Sequence, residues 1–287
     1  MSYVDGFLDR DRDTIHVVER VKGKREYREY PARYTFYYKE PRGKYTSIFG
    51  DKLERVICNS SKKYNTEKKI NAHKGLFESD IDPVFRCFED NYDPTQSPEL
   101  NLCFFDIEVD FNKDVGFAPP EDPFNAVTAV SLHLGWLNQT ICLAVKPDTL
   151  STEQAEAVMN KFPDSLLMKD EEELLNTFLE LIDDADILSG WNSEGFDIPY
   201  MVNRVARVLS KSHTRKFCLW QKFPRERTLI KYGKENKTYE LQGRIHLDYL
   251  ELYRKYTYHE MHSYSLDAIG EYELDERKVA YEGTLDQ

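Results

Sequence analysis

The chain has 287 residues, of which 40% are hydrophobic and 31% charged, with a formal net charge of −12; this composition excludes a disordered tail or a membrane-spanning bundle, since no run approaches the ~18 apolar residues of a span. The charge is uneven: residues 1–99 hold 19 Lys and Arg against 18 Asp and Glu, residues 100–200 hold 4 against 20, and residues 201–287 hold 16 against 13. An acidic block beside a basic one (12 basic against 3 acidic residues over 204–244) lets carboxylates hold cations while neighbouring surface meets phosphates, although two solvated faces of opposite sign are the plainer alternative.

Taken in chain order, the opening MSYVDGFLDRDRD lacks the basic-then-apolar order of a secretory signal, and five scattered cysteines without a CxxC pair argue against a disulfide framework or zinc ribbon. A reducing, cytoplasmic setting is expected. Residues 27–50, rich in Tyr, Phe, Thr and Gly, predict strands turning at Pro31, at Pro41–Gly43 and at Gly50. The polar segment 88–99 (FEDNYDPTQSPE) predicts a linker, and hence two domains, 1–99 and 100–287. LCFFDIEVD (102–110) is apolar and β-prone, which predicts a buried central strand. Residues 125–135 and 140–146 predict two more strands, antiparallel because their connection is short.

Residues 170–185 predict a helix, with Asp170 and Glu173 at capping-box spacing and Leu174, Leu175, Phe178, Leu179 and Ile182 in one stripe. DILSGW (186–191) predicts a short strand, and 197–210 a helix with Asp197 as its N-cap. Residues 228–248 predict a β-hairpin turning near Gly233–Asn236, and helices follow around 248–256 and 263–272. The order β-β-β-α-β-α, then a hairpin and more helix, predicts an α/β (α+β) fold with a mixed sheet flanked by helices.

The chemistry lies in carboxylates. Asp106 and Glu108, two apart in a strand, leave the same face, and Ile107 and Val109 leave the other. Two adjacent carboxylates in an apolar strand repel each other, and a divalent cation compensates well; an edge strand open to solvent would also do so. Asp197 stands at a strand-to-helix junction, where α/β sheets present ligands. As a plain cap it needs no further role. Set facing Asp106 and Glu108, it completes a three-carboxylate hollow suited to two cations ~3.5–4 Å apart.

FFDIEVD resembles the first exonuclease motif (D-x-E) of family B DNA polymerases, and GWNSEGFDIPYMVNR their second (N-x-x-x-F-D). ILSGWN, LDYLELYRKY and YSLDAIGEYELDERKVAYEG are also similar to that family, most closely to its T-even-type bacteriophage group. The resemblance is strong over 100–287 and weaker over 1–99, where Gly43–Gly50 carries it. It implies a ribonuclease H-like 3′–5′ exonuclease domain that removes misincorporated nucleotides, preceded by a smaller β-rich amino-terminal domain able to contact nucleic acid. By motif position, Asp106 would bridge two metals (Mg²⁺ or Mn²⁺), Glu108 would bind one and orient water, and Asp197 would bind the other. Asn192 and Phe196 would shape the site near the terminal nucleotides. The hairpin falls where the family has one that helps part primer from template, and its Lys231, Lys234 and Lys237 suit phosphate contact or simply a soluble turn. The implied partners are single-stranded or primer-template DNA and carboxy-terminal polymerase domains, in the same or a separate chain, in the cytoplasm of an infected bacterial cell if the chain is viral.

The family's fourth carboxylate belongs to a Y-x-x-x-D motif that does not occur here; it is expected beyond Gln287, so the chain reads as truncated before its third motif, as a fragment or as half of a split polymerase. Two other functions compete. A non-catalytic nucleic-acid-binding fragment would use the 204–244 stretch, with Phe217, Trp220, Phe223, Tyr232 and Tyr239 stacking on bases or packing as ordinary core. An autonomous exonuclease would use His262 and Asp267, although His262 reads better as a surface or capping residue.

Overall fold

Three antiparallel strands open the chain: β1 (Tyr3–Asp9), β2 (Thr14–Val21) and β3 (Lys24–Pro31), in that order in their sheet. The computed structural model describes residues 2–231 and 234–279, and the chain divides into two units, Met1–Leu100 and Asn101–Gln287. In the first unit a second sheet holds β4 (Tyr34–Lys39), β5 (Tyr45–Thr46), β6 (Lys52–Cys58) and, after helix α1 (Ser61–Asn71), β7 (Leu76–Phe77), in the order β5-β6-β4-β7. Helix α2 (Pro83–Asn91) closes the unit. Ile15, Val17, Tyr34 and Phe88 share its core. The Glu19 carboxylate is fully buried there; it accepts from Tyr92 Oη at 2.8 Å and from Arg28 Nε at 3.1 Å, which satisfies an otherwise costly charge.

The predicted linker at 88–99 is corrected over its first four residues; 92–99 hold no helix or strand. Phe88 to Asn91 belong to α2, and the Phe88 ring stacks on Tyr3 at 3.7 Å. The helix signal was present: Asp82 caps Val84 N at 2.9 Å and Pro83 occupies the first turn. The polar composition of the segment hid it.

The second unit is built on one six-stranded mixed sheet with helices around it. Its strands are β8 (Leu102–Val109), β9 (Val127–Leu134), β10 (Gln139–Val145), β11 (Ser165–Met168), β12 (Ile187–Gly190) and, beyond the hairpin β13 (Arg225–Lys231) and β14 (Lys234–Glu240), β15 (Ile245–Asp248). The order is β11-β10-β9-β8-β12-β15. β9 runs antiparallel to β8 and β10, whereas β12 runs parallel to β8 and β15. The strand carrying Asp106 and Glu108 is therefore internal, and a parallel junction beside it leads into a helix.

The helices are α3 (Thr152–Met159), α4 (Glu171–Leu181), α5 (Asp197–Val208), α6 (Tyr249–Tyr256) and α7 (Leu266–Leu274). Asp170 caps α4 by accepting from Glu173 N at 2.9 Å, and the predicted stripe Leu174, Leu175, Phe178, Leu179 is buried in the core of the unit. Each such side chain contributes about 1.5–3 kcal/mol on leaving water. Among the described residues no helix is long and apolar enough to cross a membrane.

Three predicted details change. The hairpin pairs Lys231 with Lys234, so Lys234 to Asn236 lie in the strand rather than in the turn, and 245–248 join the main sheet as β15. The α3 helix and β11, both absent from the predicted order, lie between β10 and α4. Asp197 is not the cap of α5: Phe196 holds that position without a side-chain bond, and Asp197 is the first helical residue.

Candidate active site

Asp106 and Glu108 are both exposed, while Phe105 and Ile107 are buried, so the strand's alternation turns the two carboxylates to one face. Between Glu108 and Val109 the register with β9 shifts, a bulge that bends the ladder beside the second carboxylate.

Asp197 reaches the same strand from the other side of the junction. It is 4% exposed, and its Oδ1 accepts from Ile107 N at 3.3 Å. This contact replaces the cap that its position suggested. Burial pushes its carboxyl up to about 7; the charge of Asp106 adds to the rise, its own and Ile107's backbone N–H groups oppose it, and Asp248 raises it further. No cation among the described residues pairs with it. Asp106 reaches solvent, yet the protein around its carboxyl raises its pKa too, with Lys278 pulling the other way.

Packing explains how the junction comes so close to β8. A Cβ on Gly190 would stand 2.6 Å from the Phe105 carbonyl oxygen, so only glycine lets β12 end here. Asn192 then takes a left-handed conformation (φ 60), and its carbonyl accepts from Gly195 N and Phe196 N at 3.0 and 3.1 Å. Ser193 is fully buried; its carbonyl accepts from Ile198 N at 2.9 Å and its hydroxyl lies 2.9 Å from His246 Nε2.

Arg204 ties α5 down. Its Nε and Nη2 contact Glu171 at 2.7 and 2.6 Å, and its Nη1 donates to the Pro123 carbonyl at 2.8 Å. Arg244 is likewise buried and donates to the carbonyl oxygens of Ile182 and Asp183. Both ends of the predicted basic stretch are thus structural, not phosphate-facing. Phe217 is core, and Tyr239 donates to Asn203 Oδ1 at 2.7 Å, while Phe223 lies exposed under Arg215 at 4.2 Å.

A cavity of about 280 Å³ opens beside Asp106, walled by Phe104, His133, Trp191, Tyr249 and Leu266. Phe196 is half-buried against Tyr200, with ring centroids 5.2 Å apart. Lys237 is exposed and paired with Glu226 at 2.9 Å across the hairpin. The Lys231 and Lys234 side chains, with Tyr232, lie outside the described residues. His262 sits exposed before α7, and the Asp267 carboxylate accepts from Lys278 N at 2.8 Å.

The arrangement brings Asp106 and Asp197 together and leaves Glu108 one pleat further along the same face. Among the described residues, no three His, Cys, Asp or Glu side chains stand close enough to hold a metal ion as they lie. A buried carboxylate with no cation beside it, next to a second carboxylate, still fits a hard cation of the Mg²⁺ kind, which takes one or two carboxylates and fills its remaining positions with water and phosphate.

Sequence reasoning missed Asp248. It is 6% exposed at the end of β15, and its two oxygens accept from Asn192 N, Glu194 N and Leu250 N. An Asp just before a predicted helix signalled only the last of these. The ion pair of Glu194 with Arg227, between this turn and the hairpin, carried no sequence signal.

Residues 54–269 match the family model described as DNA polymerase family B, exonuclease domain. The chain is similar to a DNA-directed DNA polymerase of Escherichia phage RB69, 29% identical over 225 residues that cover 69% of this chain and 23% of that protein. It is 33% identical to a DNA-directed DNA polymerase of Enterobacteria phage T4 over 101 residues, 35% of this chain and 11% of that one. It is 32% identical to a DNA polymerase delta catalytic subunit of Candida albicans over 191 residues, 62% of this chain and 17% of that one. The matches thus span less than a quarter of each relative's length. Because the family match runs over well more than half of the sequence, with both carboxylate segments inside it, the chain belongs to the exonuclease-domain family of the family B DNA polymerases.

Proposed function

We propose that this chain is the proofreading 3′–5′ exonuclease portion of a DNA polymerase, acting on single-stranded 3′ ends of DNA, with polymerase domains in the same or a separate chain. The observation that carries this reading is the buried Asp197 carboxylate set against Asp106 across Ile107. Asp106, Glu108 and Asp197 would hold divalent cations, Mg²⁺ or Mn²⁺. When bound, such cations supply a nucleophilic water and neutralise charge on the phosphate.

The chain's own residues do the rest. Asp106 faces the incoming phosphate from the middle of β8, and Glu108 accepts a hydrogen bond from the attacking water. Asp197 holds its charge out of bulk water, which strengthens its pull on a cation. Asn192 and Phe196 border the terminal nucleotides. Lys237 would contact the strand's phosphates, the part that the resemblance also gives to Lys231 and Lys234. The acidic site and basic hairpin divide the work as the charge blocks do, and the setting is the cytoplasm, of an infected bacterial cell if the chain is viral.

One observation favours a second reading, a nucleic-acid-binding fragment without chemistry: no three-ligand cluster is preformed among the described residues. Degradation of a 5′-labelled single-stranded oligonucleotide with Mn²⁺ separates the two. Shortening from the 3′ end by wild type and His262→Ala, but not by Asp106→Ala, supports the exonuclease. Loss in both variants moves the chemistry to His262. Binding without any shortening, both in this chain and in one extended past Gln287, supports the fragment.

A further inference from the structure

The turn that delivers Asp197 has no cap of its own. Phe196 contributes no side-chain bond to α5, Asn192 is left-handed, and its residue is exposed. Its own bonds, from Gly195 N and Phe196 N to the Asn192 carbonyl, leave the amides of Asn192 and Glu194 to partners outside the turn. The Asp248 carboxylate, across a parallel strand pair in which Gly190 stands opposite Asp248, is placed to hold them. Oδ1 accepts from Asn192 N at 3.0 Å and Oδ2 from Glu194 N at 3.2 Å, while Oδ1 also caps α6 through Leu250 N at 3.0 Å. One buried carboxylate thereby joins the Leu250 amide to the amides of Glu194 and Asn192, 56 and 58 residues earlier. Ser193, between the two held amides, is locked in turn by His246 on the same strand, and its carbonyl accepts from Ile198 N, one residue after Asp197.

We infer that Asp248 is the positioning residue of this site: its carboxylate sets the 192–194 turn, and the turn sets the Asp197 carboxylate against β8. The inference rests on the proposed metal-dependent reading. Charged acceptors make the stronger hydrogen bonds; groups bonded directly to a metal ligand commonly affect affinity about 10- to 100-fold, and Asp248, which reaches Asp197 only through the turn, is expected at the low end of that range. Asp248 does not itself touch the reacting phosphate in this scheme; it acts through the turn.

The test compares Mn²⁺ affinity, by titration calorimetry on the full chain, for wild type, Asp197→Asn, Asp248→Ser and Ser151→Ala. Serine at 248 can still cap Leu250 but is too short to reach the two turn amides, so α6 keeps its cap. Ser151 caps α3 and serves as the control for generic loss of a cap. The expected result is Mn²⁺ binding about 10-fold weaker in Asp248→Ser, weaker still in Asp197→Asn and unchanged in Ser151→Ala, with faster amide exchange at Asn192 and Glu194 in metal-free Asp248→Ser. Equal affinity in wild type and Asp248→Ser, or unchanged exchange at those amides, overturns the positioning role. Absence of Mn²⁺ binding in wild type itself overturns the metal reading, and the inference with it.

Discussion

Replacing Asp197 by Asn removes a charge and keeps the shape, so its effect isolates the electrostatics of the site. In the metal-free chain this carboxyl titrates at about 7 rather than 3.8, because burial and the neighbouring Asp106 oppose its ionisation. That gap corresponds to roughly 4 kcal/mol at most. The native state binds this proton more tightly than the unfolded chain does. Its contribution is therefore fully present below about pH 3.8, is lost as the pH rises toward 7, and stays lost above. Asn has no such titration and still offers Oδ1 to Ile107 N. At pH 8, with chelator present, Asp197→Asn is expected to be about 2–4 kcal/mol more stable than wild type, and the advantage should vanish near pH 4. Urea unfolding of both proteins at the two pH values measures it. Saturating Mn²⁺ should then stabilise wild type and leave the variant unmoved. A variant no more stable than wild type at pH 8, or an advantage equal at both pH values, would refute the argument that Asp197 carries a buried, uncompensated charge.

Three further outcomes follow from single contacts. Arg204→Met leaves Glu171 charged and unpaired beneath α5, which should cost about 3–5 kcal/mol; thermal unfolding reads it, and Glu171→Gln in the same chain should recover part of the loss. Gly190→Ala puts a methyl 2.6 Å from the Phe105 carbonyl oxygen and should destabilise by about 1–3 kcal/mol while lowering Mn²⁺-dependent cleavage, since β12 must move off β8. Glu226→Gln frees Lys237 from its partner at 2.9 Å; fluorescence anisotropy should show tighter binding of single-stranded DNA, by a few-fold at low salt and less as salt rises. A fall in affinity would instead assign Lys237 to hairpin structure.

The parts legible in the sequence were those dictated by local pattern. β8 announced itself through LCFFDIEV, whose period of two also placed Asp106 and Glu108 together. The α4 stripe and its Asp170 cap were equally local. What escaped was either weakly patterned or long-range. The α3 helix is short and mostly exposed and β11 has four residues, so no apolar face marked them. The basic stretch misled at both ends because an arginine used to satisfy buried carbonyls and an arginine meant for phosphate look the same in one dimension. Asp197 misled in the opposite sense: local rules made it a cap, and only the distance to Ile107 N separates a cap from a carboxylate aimed across a sheet. Asp248 lay beyond any local rule, since the Asn192 and Glu194 amides that it holds come from another segment of the sheet.

These departures from local rules concentrate in one place. Three residues able to cap a helix, Asn192, Ser193 and Asp197, surround the start of α5, and none caps it. Asn192 is left-handed, and Asp197 keeps a carboxylate where burial and Asp106 both oppose its charge. Each departure costs stability, and sequences that break local rules without compensation tend to do so where function demands it. The nature of the cost discriminates between the two functional readings. A chain that only held nucleic acid would gain nothing from clustered carboxylates, because their field repels the phosphates that the basic hairpin attracts. Only a cation standing between carboxylate and phosphate turns that repulsion into attraction. The strain around Asp197 therefore weighs on the side of metal-dependent chemistry.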